Sequence, residues 1–302
     1  MNNQSNSTIY DQLKAYVMSL DDQRQHGYPI ESNGDQDGHE LVSGRVSIHQ
    51  VSDSMISNDY STNERICQRC LLMFMVDSDG IPLVNENCYY HNRHTTNSRG
   101  NYTCCNRQIG SRACCVAPSH TVSGHGHPDK TLNYVRLPSP TSPSLPSSSS
   151  SVVDHHQVYA MDCEMVSTTV GYELARISIV NTELNTVLDH YVKPSNPILD
   201  HNTKFSGITG ANMKSVVWTL TDVHNFMFEF MSSESIIVGH GLDHDFQVLK
   251  LIHSNVIDTA HLYAHPRGLP FRSSLKYLAK KQLNKSIQGK TSPDVQVVSL
   301  TY

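Results

Sequence analysis

The spacing of apolar residues changes character along the chain, and the changes predict the elements. VYAMDCEM from residue 158, YELARISIVN and TVLDHYVKP read as strands, because alternating apolar positions rich in β-branched and aromatic residues suit a pleated, half-buried ribbon. The turns between them are too short for a parallel crossover, so the three predict an antiparallel meander. Farther on the period becomes helical. Val223, Phe226, Met227, Phe230 and Met231 form an i, i+3, i+4, i+7, i+8 stripe behind a capping Thr221. The apolar IIVGH predicts a buried strand, DHDFQVLKLIH a helix and NVIDT another short strand, an alternation typical of parallel α/β units. After Ser273 or Ser274, Leu275, Leu278, Ala279 and Leu283 share one helical face, with Lys276, Lys280 and Lys281 largely elsewhere. The predicted fold class is α/β, a mixed sheet flanked by helices.

The front of the chain has a different pattern. Ile9, Leu13, Tyr16, Val17 and Leu20 fall at helical spacing ahead of the turn-rich GYPIESNGDQDG, predicting one amphipathic helix whose stripe suits core packing or a partner. Residues 31 to 60 are polar and predict no structure. Residues 137 to 151, LPSPTSPSLPSSSSS, are twelve-fifteenths Pro or Ser. Such a composition cannot bury enough apolar surface to offset chain ordering, so it predicts a linker.

Composition narrows the classes. Hydrophobic residues make up 38% of 302, below the roughly 45 to 50% of globular chains, as expected for folded parts joined by unfolded ones. No apolar run approaches the roughly 18 residues of a membrane span, and MNNQSNSTIY has no leader-like pattern. A protein without membrane partners is expected, and the sequons at Asn3, Asn6 and Asn101 read as chance matches. The net charge of -5 is uneven: residues 1 to 156 hold eleven basic and fifteen acidic side chains, whereas from Arg267 onward there are seven Lys or Arg and one acid, Asp294. A late basic stretch suits phosphate. Lys276, Lys280, Lys281 and Lys285 are the candidate nucleic-acid contacts, and a solvated helix face explains them equally well.

Candidate chemistry lies in two places. On a strand, Asp162 and Glu164 leave the same face while Met161, Cys163 and Met165 leave the other. Two carboxylates that close repel unless a cation stands between them, and hard ions such as Mg²⁺ or Mn²⁺ choose oxygen ligands. An acid pair alone also fits a solvated edge. Asp245, in GHGLDHDF, sits in the first turn of a predicted helix, where compensation of the helix dipole is the plain alternative to ligation. Brought over the first strand, it would complete a trio able to serve two-metal phosphodiester hydrolysis.

Seven of the eight cysteines lie between Cys67 and Cys115. Without a secretion signal, metal ligation outranks disulfides. Cys67 and Cys70 form a CxxC pair, Cys88 and His91 a CxxH pair, and Cys104, Cys105, Cys114 and His120 follow. Thiolates and imidazoles suit tetrahedral Zn²⁺, which would also supply folding energy that so small a segment lacks.

YAMDCEM, YELARISIVN, HNTKFSGIT, VGHGLDHDFQVLKLIH and VIDT, in this order, resemble the RNA exonuclease 1 homologue family, DEDDh-type 3′→5′ exonucleases of ribonuclease H-like fold. ERICQRC, FMVDSDGIPLV, CYYH and YTCC are similar to the segment that precedes the nuclease in that family. The resemblance implies Asp162, Glu164 and Asp245 as catalytic ligands of two Mg²⁺ or Mn²⁺ ions, with Asp258 supporting. It implies RNA 3′ ends as partner, with single-stranded DNA as a second candidate, and a nuclear location. It also implies eight ligands for one or two structural Zn²⁺ ions, with Cys115 outside the set. Cys104 and Cys105 are adjacent, and strain would leave one of them apart. His94, His125 and His127 match nothing in the family.

The family's third motif, a His followed five positions later by an Asp, is missing. His261 and His265 are followed at that distance by Pro266 and Pro270. His240 and His244 read as a strand-end hydrogen-bonding residue and a helix-surface residue rather than substitutes. Without the base and the fourth carboxylate, weak or absent hydrolysis is expected, with an RNA- or protein-binding module as the alternative function. GKTSPDVQVVSLTY departs from the family, and Gly289-Lys290 can be encoded by GGTAAG, which resembles an unspliced donor site. In this C-terminally truncated fold, loss of the family's last helix should also bare an apolar face. The expected organisation is an N-terminal helix and polar segment (1–60), a Cys/His module (61–123), a linker (124–156), an exonuclease domain lacking its third motif (157–288) and a tail (289–302).

Overall fold

The computed structural model describes residues 3–31, 46–47, 58–92, 96–97, 99–140, 157–269 and 271–287. The Pro/Ser run beyond 140, the tail from 289, His94 and most of the polar segment lie outside these. In chain order the elements are α1 (Asn3–Lys14), α2 (Leu20–Gln25), β1 (Ile30–Glu31), β2 (Val46–Ser47), β3 (Glu64–Ile66), β4 (Met73–Met75), β5 (Cys88–Tyr90), β6 (Cys115–Ala117) and β7 (Val135–Arg136). They continue as β8 (Val158–Thr168), β9 (Gly171–Asn181), β10 (Thr186–Tyr191), β11 (Ile198–Asp200), α3 (Thr203–Ser206), α4 (Gly210–Met213) and α5 (Leu220–Phe230). β12 (Ile236–Gly239), α6 (Leu242–Val248), β13 (Leu251–Ile252), β14 (Val256–Asp258), α7 (Thr259–Leu262) and α8 (Leu275–Leu283) complete them.

The main sheet runs β10-β9-β8-β12-β14, with β11 on the far end of β8. β8, β9 and β10 are the antiparallel meander that alternation predicts, and β12 joins β8 and β14 in parallel. Numbered by sequence the order is 3-2-1-4-5 with only the second strand reversed, the topology of a ribonuclease H-like sheet. One face is covered by α5 and α6: Met161, Cys163, Ile177, Ile179 and Ile237 pack with Val223, Met227, Leu242 and Phe246. Residues two apart along β8 point to opposite layers of this packing from their neighbours, which sends Asp162 and Glu164 to the other face.

That other face is covered by the N-terminal helix. Tyr10, Leu13 and Val17 pack on Val158, Ile236, Val238 and Ile257, and the Met18 N–H donates to the Val256 carbonyl at 2.8 Å. The predicted single helix is two, because α1 ends at Lys14 and Ser19 caps α2. Tyr16 and Leu20, read as part of the stripe, are exposed instead. The front helix is thus part of the nuclease body in space.

Three boundaries differ from the sequence pattern. α5 is capped by Thr219 rather than Thr221, since Thr219 and Asp222 bond each other reciprocally in a capping box. The helix predicted over DHDFQVLKLIH stops at Val248, and Lys250 adopts φ +48. The apolar Leu251–Ile252 then pairs in parallel with Val135–Arg136. That pairing also alters the linker: residues 124–140 carry a 3-10 turn and β7, and Tyr134 and Leu137 are buried. Four apolar residues in TLNYVRL were enough to dock this piece before the Pro/Ser run begins. Leu262, Tyr263, Leu269, Phe271, Tyr277 and Leu283 are 37 to 54% exposed, which is apolar surface on the late part of the fold.

Candidate active site and metal centres

β12 stops pairing with β8 at Ala160 and turns into α6. Gly239 makes that turn possible: a Cβ there would lie 2.9 Å from the Met161 carbonyl and 2.5 Å from Leu242 Cδ2. α6 therefore begins directly over the strand that carries the acid pair. Where the ladder ends, the Asp245 carboxylate takes its place, accepting the Cys163 N–H at 2.7 Å. Asp162 and Glu164 stand opposite Ser178 and Arg176 of β9.

The three carboxyls have little counter-charge. Burial, opposed by Arg176, pushes Asp162 up to about 6. Burial and then the charge of Asp162 push Glu164 up to about 8. Asp245, buried deepest, is driven well above the usual carboxylate range, first by burial and then by Asp162. Asp162 is thus the carboxylate that both others feel. The cation that opposes these shifts is committed elsewhere, since Arg176 holds Asp189 in a two-point pair at 2.8 Å each. One buried and two half-buried acids, each pushed toward protonation, fit a divalent cation, which would return them to the charged form. The trio does not close as tightly as the sequence suggests: among the described residues, neither of the groups whose ligand atoms all lie within 4.8 Å includes it. Side chains two apart on a strand are separated by about 6.5 Å of backbone rise.

Neighbouring acids have structural duties. Asp258 caps α7 and accepts from Gly241 N–H, Leu242 N–H and the Tyr28 hydroxyl, the last at 2.8 Å. Asp243 is paired with Arg272 at 2.5 and 3.0 Å. His240 bonds Thr259 Oγ1 at 2.9 Å from the end of β12, and His244 is exposed, its Nδ1 3.7 Å from Asp243. Lys276, Lys280 and Lys281 lie on the exposed side of α8, and Lys285 is exposed just beyond it. Lys280 donates to Asn284, and Lys281 lies 5.7 Å over the Tyr277 ring.

The Cys/His segment gathers its eight ligand candidates into two sets of four: Cys67, Cys70, Cys88 and His120, then His91, Cys104, Cys105 and Cys114. β3–β4 present Cys67 and Cys70 from the turn between them, and β5–β6 carry Cys88 and frame Cys114. Sulfur separations of 3.7 Å for Cys67 to Cys88 and 3.5 Å for Cys104 to Cys114 match the ~3.8 Å edge of a tetrahedron with Zn–S near 2.3 Å. Cys70 Sγ is 3.3 Å from His120 Nδ1, and Cys105 Sγ 3.5 Å from His91 Nδ1. All eight cysteines are free thiols. Both donor sets fit Zn²⁺ in number, type and spacing. Cys104 and Cys105 share one set, against the expectation that adjacency would leave one apart. Cys115 stands outside both sets, 3.8 Å from Cys114.

Sequence reasoning missed Arg69. It lies between the first two thiol ligands, is buried, pairs with Asp200 at 2.7 Å and donates to Asn202 and Ser167. Its Cys-Gln-Arg-Cys setting carries no signal that the guanidinium crosses to β8 and β11. Gly124 and Gly171, both at positive φ, press the same seam together: a Cβ on Gly124 would lie 2.2 Å from the Val170 carbonyl.

No family model matches the chain. Individual relatives do. It is 33% identical over 93% of its length to an RNA exonuclease 1 homolog of Homo sapiens, of which it spans 22%. It is 34% identical over 94% of its length to exonuclease GOR of Pan troglodytes, spanning 39% of that protein. With RNA exonuclease 3 of Schizosaccharomyces pombe it shares 37% identity over 75% of its length and 41% of the relative's. The chain thus covers about a fifth to two fifths of these relatives. Among solved structures it is similar to the Pan2 catalytic unit of Neurospora crassa (22% identity, 51% of this chain and 26% of that one, TM-score 0.41). It is also similar to the Pan2 exonuclease module of Saccharomyces cerevisiae in complex with A7 RNA (28%, 44% and 25%, TM-score 0.39). Across both its Cys/His segment and its nuclease-like sheet, the chain belongs to the RNA exonuclease 1 homologue family.

Proposed function

We propose that the chain is the nuclease portion of a 3′→5′ exoribonuclease that shortens RNA 3′ ends in the nucleus. The observation that supports this reading is geometric: Asp162 and Glu164 flank Cys163 on β8, and Asp245 of α6 accepts the Cys163 N–H between them at 2.7 Å. Two divalent ions held there would polarise the scissile phosphate and activate water. The chain's own part is positional: β8 fixes two carboxylates on one face, and α6 brings the third over the strand end. Zn²⁺ in the Cys/His sets has a structural role. The relatives' RNA exonuclease names support RNA as substrate, and the exposed lysines around α8 supply phosphate contacts whose strength falls with salt.

These 302 residues supply three of the four carboxylates and none of the His bases of a DEDDh site. A positioned base typically contributes 10²- to 10⁴-fold, so this polypeptide is expected to be slow. The test incubates 5′-labelled single-stranded RNA with the chain and Mn²⁺, beside Asp162→Ala. Stepwise shortening from the 3′ end that Asp162→Ala abolishes supports the proposal. Binding without shortening favours the RNA-binding alternative, and shortening unaffected by Asp162→Ala overturns the carboxylate site.

A further inference from the structure

A cavity of about 440 Å³ opens at the seam between the Cys/His module and the sheet, within the ~300–1,000 Å³ typical of small-molecule sites. Gln68, Tyr90 and Asn92 of the module line one wall; Glu164, Tyr172 and Phe205 line the other. We propose that this cavity is a nucleotide subsite that takes one unpaired base of the RNA strand next to the phosphate at Glu164, with the zinc module as its outer wall. The proposal rests on the nuclease reading and extends it, because it assigns substrate recognition to a part otherwise needed only for folding.

Three features converge on that ligand. Glu164 belongs both to the carboxylate site and to the lining, so whatever fills the cavity is continuous with the reacting phosphate. The Phe205 ring is 53% exposed and that of Tyr172 38%, although both lie in a concave site, where an uncovered ring serves as a stacking platform for a base. The exposed amide of Asn92 offers a donor and an acceptor, and the half-buried Gln68, whose Nε2 donates to Thr121 Oγ1 at 3.2 Å, offers its amide oxygen, groups of the kind that read base edges on single strands. Lys204, whose ammonium lies 5.6 Å from the Phe205 ring, is exposed and placed for the backbone phosphate.

The wall is held rigidly, as recognition requires. Arg69 itself lines the cavity, anchored at one end by its place between Cys67 and Cys70. At the other end it is held by Asp200 and Asn202, just before the short helix that bears Phe205. Asn202 also donates to Ser167 of β8 at 3.1 Å. Cys67 and Cys70, if joined by zinc at the first ligand set, would therefore hold the amide wall at a set distance from the aromatic wall.

The experiment uses the full zinc-loaded chain and a fluorescent single-stranded RNA hexanucleotide, with binding read by anisotropy in Ca²⁺ to suppress cleavage. Phe205→Ala and the pair Gln68→Ala with Asn92→Ala are exposed or rim substitutions expected to fold. Each should weaken binding roughly 5- to 100-fold, the range for losing one base contact, while zinc content and Mn²⁺ affinity stay at the unsubstituted values. Unchanged RNA affinity in both variants, with binding still dependent on Asp162, overturns the subsite and leaves the nuclease reading standing. An effect of Phe205→Ala without one from the amide pair overturns the zinc-module wall. Equal Mn²⁺ affinity in the unsubstituted chain and in Asp162→Ala would instead strike the nuclease reading.

Discussion

The Cys/His module and the nuclease sheet sit side by side but are stabilised by different physics. The sheet buries a continuous apolar layer from Met161 to Phe246 on one face and uses α1 to cover the other. The module has a small core, Phe74, Val76, Tyr90, Ala117 and Val122 around the thiols of Cys67 and Cys88. It leaves Leu71, Leu72, Met73, Leu83 and Val84 more than half exposed. A segment that small cannot offset its conformational entropy by burial, so Zn²⁺ held by its two donor sets would supply the difference. Stability on this account comes from side-chain volume in one region and would come from coordinate bonds in the other, with Arg69 crossing between them.

The largest effect expected from this contrast follows zinc removal. A chelator that strips both ions, or Cys88→Ser, should unfold residues 58–123, because structural zinc contributes on the order of 10–16 kcal/mol in small domains. Hydrogen exchange should then show β3 to β6 unprotected while β8, β9 and β12 keep their protection. Equal loss in both regions would erase the distinction. Next in size is Ile237→Ala, at a fully buried position of the sheet. It should cost about 2–5 kcal/mol by urea unfolding, with two zinc ions per chain still present by metal analysis.

Acid acts on the two regions by different routes. In the nuclease body, His253 is buried with Nε2 2.7 Å from the Ser235 carbonyl, and burial lowers it to about 4. Its folded value is below the unfolded one of about 6.5, so its contribution is full above pH 6.5 and is lost as pH falls toward 4. Moving from pH 7.5 to 5 should cost about 2 kcal/mol through this residue, a difference that His253→Gln removes from the urea midpoints. A zinc-loaded module would lose stability in acid as its thiolates protonate and release metal, so zinc content followed in parallel separates the routes. The smallest effect is expected at Leu72→Ser and Met73→Ser. Both are exposed by more than 60%, and each should change stability within about 0.5 kcal/mol. A larger loss would mean that apolar burial matters more in the module than zinc does.

The sheet was legible where local pattern and burial agree. β8 and β9 alternate because one side meets α5 and α6, and the i, i+3, i+4 stripe of α5 faces the same layer. Legibility failed where a partner distant in sequence decides the outcome. Leu251–Ile252 looks like the end of a helix and becomes a strand because Val135–Arg136 lies beside it. The stripe of α1 does not reveal that its partner surface is Ile236 and Val238, more than 200 residues away. At the site, spacing alone indicates that Asp162 and Glu164 share a face. That Asp245 caps the Cys163 N–H depends on the turn at Gly239, and the four-and-four partition of Cys and His depends on strand pairing, β3 with β4 and β5 with β6. Arg69 was hidden because buried cations are rare, and nothing in its neighbours marks one.

The most direct measurement is Mn²⁺ binding by electron paramagnetic resonance, on the chain and on Asp162→Ala, with zinc occupancy held constant. Because Asp162 is the carboxylate that Glu164 and Asp245 both feel, its removal should weaken Mn²⁺ binding by more than about 100-fold, beyond the 10- to 100-fold of outer-shell changes. Equal Mn²⁺ affinity in the two chains would contradict the account.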